Sequence, residues 1–280
     1  MKELGYYNGE YGPLSEMRIP MTDRVCVFGD GVYDAAMGRN GKIFALPEHI
    51  DRIFNGMAAL KINPPCSKQE MAHLLLEMLG KVDQSENLVY WQVTRGSARR
   101  EHSFDPAIKA NLWIMVYPDK ADPMDREFSA ITHEDTRFLH CNIKTLNLLP
   151  SVMYAQAARE AGVDEAILYR ADGHVTECAH SNVHILKDGV LITHPADNLI
   201  LPGIARAHLI AVCRKLGIGV AEAPFTVQQM FDADEVIITS SGSFAMRVST
   251  VDGKPVGHKD GATLGRIQQA LDQEFYTETA

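Results

Sequence analysis

Cysteine is scarce in this chain. Five occur in 280 residues, at positions 26, 66, 141, 178 and 213, and no two stand in C-x-x-C spacing. An odd, scattered set argues against a disulfide framework and against a zinc ribbon, and leads to the expectation of a reducing cytoplasm. No apolar run approaches the roughly 18 residues of a membrane span. The segment from Met1 to Tyr7 holds no apolar stretch of signal-peptide length. Basic clusters are missing as well, the longest being Arg99-Arg100. With a net charge of −9 and a sequence pI of about 5.6, the chain repels nucleic acid and anionic membranes, so neither is expected as a partner. The eleven histidines show no metal-ligand pattern. His180 and His184 are separated by a strand-like Ser181-Asn182-Val183, which puts them more than about a dozen ångströms apart. Internal repeats and low-complexity tracts are absent.

What remains is ordinary globular composition, 46% hydrophobic and 22% charged, long enough for one or two cores. Asn8-Gly9 and Asn40-Gly41 are hairpin signals. Strands are predicted at Val32–Met37 and Lys42–Leu46 around the second turn, then at Leu88–Thr94 and Asn111–Tyr117. Pro47 opens a helix with Ile50, Ile53, Phe54, Met57 and Leu60 at helical spacing. Ser67-Lys68-Gln69-Glu70 is a capping box before a second helix bearing Met71, Leu74, Leu75 and Met78. Beyond a proline-rich stretch, a helix is predicted at Ser151–Ala161, strands at Glu165–Tyr169, Val183–Leu186, Val190–Thr193 and Glu235–Thr239, and helices from about Ile204 and over Ala262–Phe275. The fold class read from this order is α+β with mainly antiparallel sheets, in two domains at 1–118 and 125–280 joined by a linker at 119–124.

Chemistry is suggested by spacing more than by any single motif. Lys144 lies in Cys141-Asn142-Ile143-Lys144-Thr145-Leu146-Asn147-Leu148-Leu149 with no second charge. It reads either as a surface lysine or as an amine whose neighbours prepare it for a Schiff base. Glu177 follows a strand-turn region and could hold a ring nitrogen protonated; Asp30 and Asp51 could do so on composition alone. Leu201-Pro202-Gly203-Ile204-Ala205-Arg206 opens a helix whose first amides favour a phosphate. Arg52 is either solvated or a phosphate clamp. Ser240-Ser241-Gly242-Ser243 is an anion cradle or a plain loop. The loop from Arg95 to His102 is a solvated face or a grip for a substrate carboxylate. An amine, a carboxylate and an anion-binding helix start are together the parts that pyridoxal phosphate needs.

Several blocks then line up in order. They are Phe28-Gly29-Asp30-Gly31-Val32-Tyr33, Glu48-His49-Ile50-Asp51-Arg52, Gln92-Val93-Thr94-Arg95-Gly96, Ile143 to Leu149, Val175-Thr176-Glu177 and Thr193-His194-Pro195-Ala196. Through them nearly the whole chain resembles the class IV, fold-type IV pyridoxal phosphate aminotransferases, in the branch acting on D-amino acids. The resemblance implies a barrel-like C-terminal domain, pyridoxal 5′-phosphate as cofactor, and a homodimer with each site at the domain junction. It implies Lys144 as the Schiff-base and proton-shuttling amine and Glu177 at the pyridine nitrogen. Arg52, the backbone of Ile204 and Ala205, and Ser241 would hold the phosphate. Tyr33, Arg100 and His102 would trap the substrate carboxylate, the last two reaching in from the second subunit. Tyr90 and Arg137 would stand behind Glu177. The implied activity is two-step transfer of an amino group from a D-amino acid such as D-alanine to a 2-oxo acid such as 2-oxoglutarate or pyruvate. The alternatives are a branched-chain L-aminotransferase, an (R)-selective amine transaminase, an aminodeoxychorismate lyase, or a non-catalytic cofactor-binding or structural protein. The chain departs from the family pattern at Cys178-Ala179-His180, at Phe244 to Arg247, at Ala205 in place of threonine, and at Asp34 in place of glutamate.

Overall fold

Asn8 and Gly9 both adopt positive φ (47° and 104°), as do Asn40 and Gly41 (51° and 76°). This is the backbone that closes two-residue hairpins without splaying the strands. The first turn joins β1 (Leu4–Tyr7) to β2 (Glu10–Gly12). After a short helix α1 (Val25–Phe28), the second joins β3 (Gly31–Arg39) to β4 (Lys42–Ile43). The strand expected over Lys42–Leu46 stops at Ile43. Ala45 turns left-handed (φ 51°), and Pro47, which has no amide to give a ladder, sits in the first turn of α2 (Leu46–Ala59). The capping box at Ser67 forms with both of its hydrogen bonds and starts α3 (Lys68–Leu79). With β5 (Glu86–Thr94) and β6 (Asn111–Pro118) these strands make one wholly antiparallel sheet in the order β2-β1-β6-β5-β3-β4. Val89, Trp91 and Val93 alternate inward on β5 and meet Ile53 and Met57 of α2 and Leu75 and Met78 of α3 in one buried cluster. Each such side chain contributes about 1.5–3 kcal/mol by leaving water.

The later elements are β7 (Glu127–Glu134), α4 (Leu149–Glu160), β8 (Glu165–Tyr169), β9 (Val175–Cys178), β10 (Asn182–Lys187), β11 (Val190–Thr193), α5 (Ile204–Lys215), β12 (Gly219–Glu222), α6 (Val227–Phe231), β13 (Glu235–Thr239), β14 (Met246–Val251), β15 (Lys254–Pro255) and α7 (Gly261–Glu278). Their nine-stranded sheet runs β12-β11-β10-β13-β14-β7-β8-β9, with β15 on β14. Three of its pairings are parallel (β11 with β12, β14 with β7, β7 with β8), so the antiparallel pattern is complete only in the first sheet. β13 is buried along its whole length, as a central strand covered on both faces must be. β9 and β10, far apart along the strand path, are joined by a tight turn in which Cys178 N donates to Ser181 O at 2.7 Å. The sheet therefore curls back on itself as a half-barrel.

The computed structural model describes residues 2–280. Two compact units emerge: Met1–Lys120 with Ile143–Asn147 and Tyr276–Ala280, and Ala121–Asn142 with Leu148–Phe275. Lys144, expected in the C-terminal domain, thus belongs to the first unit. Its segment pairs with β3 through Tyr33 N to Lys144 O (3.0 Å), Leu146 N to Gly31 O (3.1 Å) and a bridge between Val32 and Thr145. Asp122 of the expected linker belongs to the second unit, where its amide donates to Gly242 O at 2.8 Å. Among the described residues no helix is long and apolar enough to cross a membrane.

Candidate active site

In the first unit, β3 organises the amine. Backbone pairing fixes Lys144 beside Tyr33, and its Nζ stands 4.2 Å from the centroid of the Tyr33 ring. Among the described residues this half-buried ammonium makes no side-chain hydrogen bond or ion pair. Tyr33 stacks on Tyr90 (5.5 Å, 26°), whose hydroxyl donates to Gln92 Oε1 at 2.8 Å. Tyr90, expected behind Glu177, is thus part of the lysine's surroundings.

Arg52 projects from α2 toward β3. It donates to Asp34 through Nε (2.8 Å) and Nη2 (2.6 Å), a fork that fixes the guanidinium plane. His49, one turn earlier, places Nδ1 2.7 Å from Asp34 Oδ1. Asp34 is fully buried. Burial pushes its carboxyl up, but Arg52 and His49 outweigh that and hold it well below the usual carboxylate range. Burial lowers the basicity of His49, and the Lys144 charge works in the same direction. Asp34 and His49 were not foreseen as site residues. Yet strand alternation puts Asp34 on the buried face with Val32 and Ala36, where a carboxylate requires partners.

Arg100 and His102 are exposed and rest on Phe28, the guanidinium carbon 5.3 Å and the imidazole 5.2 Å from its ring centroid. Arg24, unread in the sequence, is buried beneath their loop and donates to the Glu101 carbonyl at 2.6 Å.

In the second unit, β9 carries Glu177. Its Oε1 accepts from Arg137 Nη1 (2.7 Å), and its Oε2 accepts from Asn182 Nδ2 and from Leu201 N (3.0 Å each). Burial nevertheless pushes the carboxyl up to about 7, with Arg137 opposing. Arg137 is held in turn by a two-point pair with Asp135 (2.9 Å twice), which also accepts from Thr176 Oγ1 at 2.8 Å. Asp30 and Asp51, the other candidates for the ring nitrogen, are occupied elsewhere. Asp30 binds Arg24 and Arg95, and Asp51 pairs with Lys68 at the surface.

Gly203 begins α5 with no side-chain cap, and Ile204 and Ala205 are buried in its first turn. A Cβ at Gly203 would run into Asn182 Oδ1, so a larger residue there would displace that amide or the helix start. The same asparagine therefore touches both Glu177 and the helix start. Ser241 lies in a turn closed by Ser240 N to Ser243 O (2.7 Å) and anchored by Ser243 Oγ to Asp122 Oδ2 (2.6 Å). The departing segments are largely internal. Cys178 and Ala179 are buried, while His180 is exposed and pairs with buried Glu165 at 3.0 Å. Phe244 packs on Phe275, and Arg247 pairs with Glu235.

Residues 31–251 match the sequence profile of the family described as amino-transferase class IV. The chain is 37% identical over 277 residues to a D-alanine aminotransferase of Bacillus licheniformis, covering 98% of each. It is 40% identical over 274 residues to a D-alanine aminotransferase of Listeria innocua, covering 94% of this chain and 92% of that one. Among solved structures, a branched-chain amino acid aminotransferase of Escherichia coli superposes with a TM-score of 0.90 at 23% identity, covering 100% of this chain and 97% of that one. Another branched-chain aminotransferase, solved with pyridoxamine 5′-phosphate, gives a TM-score of 0.88 at 23% identity, covering 96% and 93%. At that identity the two structures speak for the fold, whereas the profile and the full-length relatives speak for descent. This chain belongs to the class IV aminotransferase family, whose enzymes move amino groups with pyridoxal phosphate as cofactor.

Proposed function

We propose that this enzyme transfers the amino group of D-amino acids, D-alanine among them, to 2-oxo acids such as 2-oxoglutarate or pyruvate, as a homodimer in the cytoplasm. The observation that carries the cofactor assignment is the acceptor count at Glu177. A carboxylate offers about four lone-pair positions. Arg137, Asn182 and Leu201 fill three, leaving one at Oε1 for a ring N–H. The donor set thus fits a protonated pyridine. Arg52, fixed by Asp34, together with the amides of Ile204 and Ala205 and the Ser241 hydroxyl, would hold the phosphate. Ala205 offers its backbone only.

When bound, pyridoxal phosphate supplies an electron-withdrawing ring that takes up the charge left by a departing Cα proton. Lys144 Nζ would hold the cofactor at rest and, once the substrate amine has taken its place, would accept the Cα proton and give it back, the same amine serving both halves of the exchange. A positioned base of this kind contributes about 10²–10⁴-fold. Tyr33, Arg100 and His102 would orient the substrate by its carboxylate. Because Lys144 works from one fixed side, the carboxylate's location decides which enantiomer presents its Cα–H bond to the amine. These three side chains, with relatives that are D-alanine aminotransferases, support the D-reading.

Purified enzyme incubated with 2-oxoglutarate and either D- or L-alanine tests it. Pyruvate and the pyridoxamine form of the cofactor are expected from D-alanine only; turnover of L-alanine alone would refute the proposal in favour of the branched-chain reading. Lys144→Ala is expected to abolish the borohydride-reducible adduct, and persistence of that adduct would assign the amine to another lysine.

A further inference from the structure

We propose that Arg24 and Asp30 are positioning residues for the substrate carboxylate, holding the loop that bears Arg100 and His102 in its carboxylate-accepting shape; this rests on the carboxylate-trap reading above. Arg24 is 3% exposed. Its Nη1 donates to the Glu101 carbonyl (2.6 Å) and the Ser103 carbonyl (3.4 Å), and its Nη2 to the His102 carbonyl (3.4 Å). Three consecutive carbonyls of an exposed segment are thereby gathered on one buried cation. The Arg24 Nε donates to Asp30 Oδ2 at 2.7 Å. Asp30 also accepts from Arg95 Nε (3.0 and 2.8 Å), and Arg95 donates onward to the carbonyls of Leu60 and Lys61 at 3.0 Å each. The loop is therefore tied through Arg24, Asp30 and Arg95 to the end of α2, the helix that carries Arg52 and His49. Phe28 completes the support, with Arg24, Arg100 and His102 at 4.8, 5.3 and 5.2 Å from its ring centroid.

The physical need is plain. Arg99 to Ser103 are polar and exposed, so packing supplies little order. A disordered loop would lose its conformational freedom each time substrate bound, weakening affinity without altering the proton transfer. Arg24 makes that loss during folding instead. Charge-assisted bonds to carbonyls are the strong kind, so removing the fork should be felt chiefly in substrate binding.

The test is steady-state kinetics of the full-length holoenzyme with D-alanine and 2-oxoglutarate. Arg24→Gln is expected to raise the KM for D-alanine about tenfold or more while kcat changes by less than about threefold. Arg100→Ala should raise KM at least as much, and adding Arg24→Gln to an Arg100→Ala/His102→Ala variant should raise it no further, because the loop then has nothing to position; on Arg100→Ala alone the effect should be less than additive. Asp30→Asn, which keeps shape and loses charge, should show the same selective rise and serves if Arg24→Gln fails to fold. An unchanged KM in both positioning variants, a fall in kcat at constant KM, or effects that add fully to Arg100→Ala would overturn the inference while leaving the trap intact. An unchanged KM in Arg100→Ala would instead remove the trap reading, and this inference with it.

Discussion

At Glu177, burial and hydrogen bonding oppose each other, and burial prevails: the folded carboxyl sits at about 7 against an ordinary 4.5. A raised carboxyl contributes its full stability below the unfolded value and loses it as pH climbs through the folded one. Protein stripped of cofactor should therefore lose stability relative to Glu177→Gln between about pH 4.5 and 8, by up to about 3 kcal/mol. Glutamine keeps one oxygen for Arg137 but turns an NH2 toward the donors Asn182 Nδ2 and Leu201 N, which adds a constant offset, so only the pH-dependent part of the gap reports the charge. Melting curves of both proteins across that range measure it, and a pH-independent gap would count against the assignment. Lys144, Glu177 and Arg52 stand out in the sequence as candidates because each has the side chain its proposed role demands. Their partners do not. Asp34, Asp135, Asn182 and Arg24 act by satisfying another buried group, and a one-dimensional string does not say which groups are buried together.

The start of α5 and the turn from β9 to β10 share Asn182, which bonds Glu177 and the Leu201 carbonyl. Gly203→Ala would drive a methyl into its Oδ1. The side chain must then leave Glu177, or the helix start must shift. Overpacking of this kind costs about 1–3 kcal/mol. Cofactor affinity, followed by equilibrium dialysis, should fall about tenfold or more, and unaltered affinity would show that the asparagine can move freely. At this scale local chemistry was readable where it is self-contained: the asparagine-glycine turns, Pro47, and the Ser67 capping box all formed. The capping box of Thr226 and Gln229 is equally written in the sequence. β7 leaves no such mark. Only Phe128 and Ala130 of its eight residues are buried, and its partners β14 and β8 are parallel and distant along the chain, so no turn signal marks them.

For the whole molecule, the proposed homodimer makes a quantitative demand. If Arg100 and His102 serve the partner's site, a hybrid of one Lys144→Ala subunit and one Arg100→Ala subunit contains one intact site. Random mixing makes half the dimers hybrids, so activity at low D-alanine should return to about a quarter of wild type. Mixing without recovery would put the loop and the lysine of each site on one chain. The division into units holds a further consequence. The chain passes between them at 120/121, 142/143, 147/148 and 275/276, and the five residues bearing Lys144 are a brief return to a strand laid down more than a hundred positions earlier. Cutting the chain at the proline-rich stretch would therefore part the amine from the strand that pairs with it, so neither fragment alone carries Lys144 together with Tyr33 and Gly31.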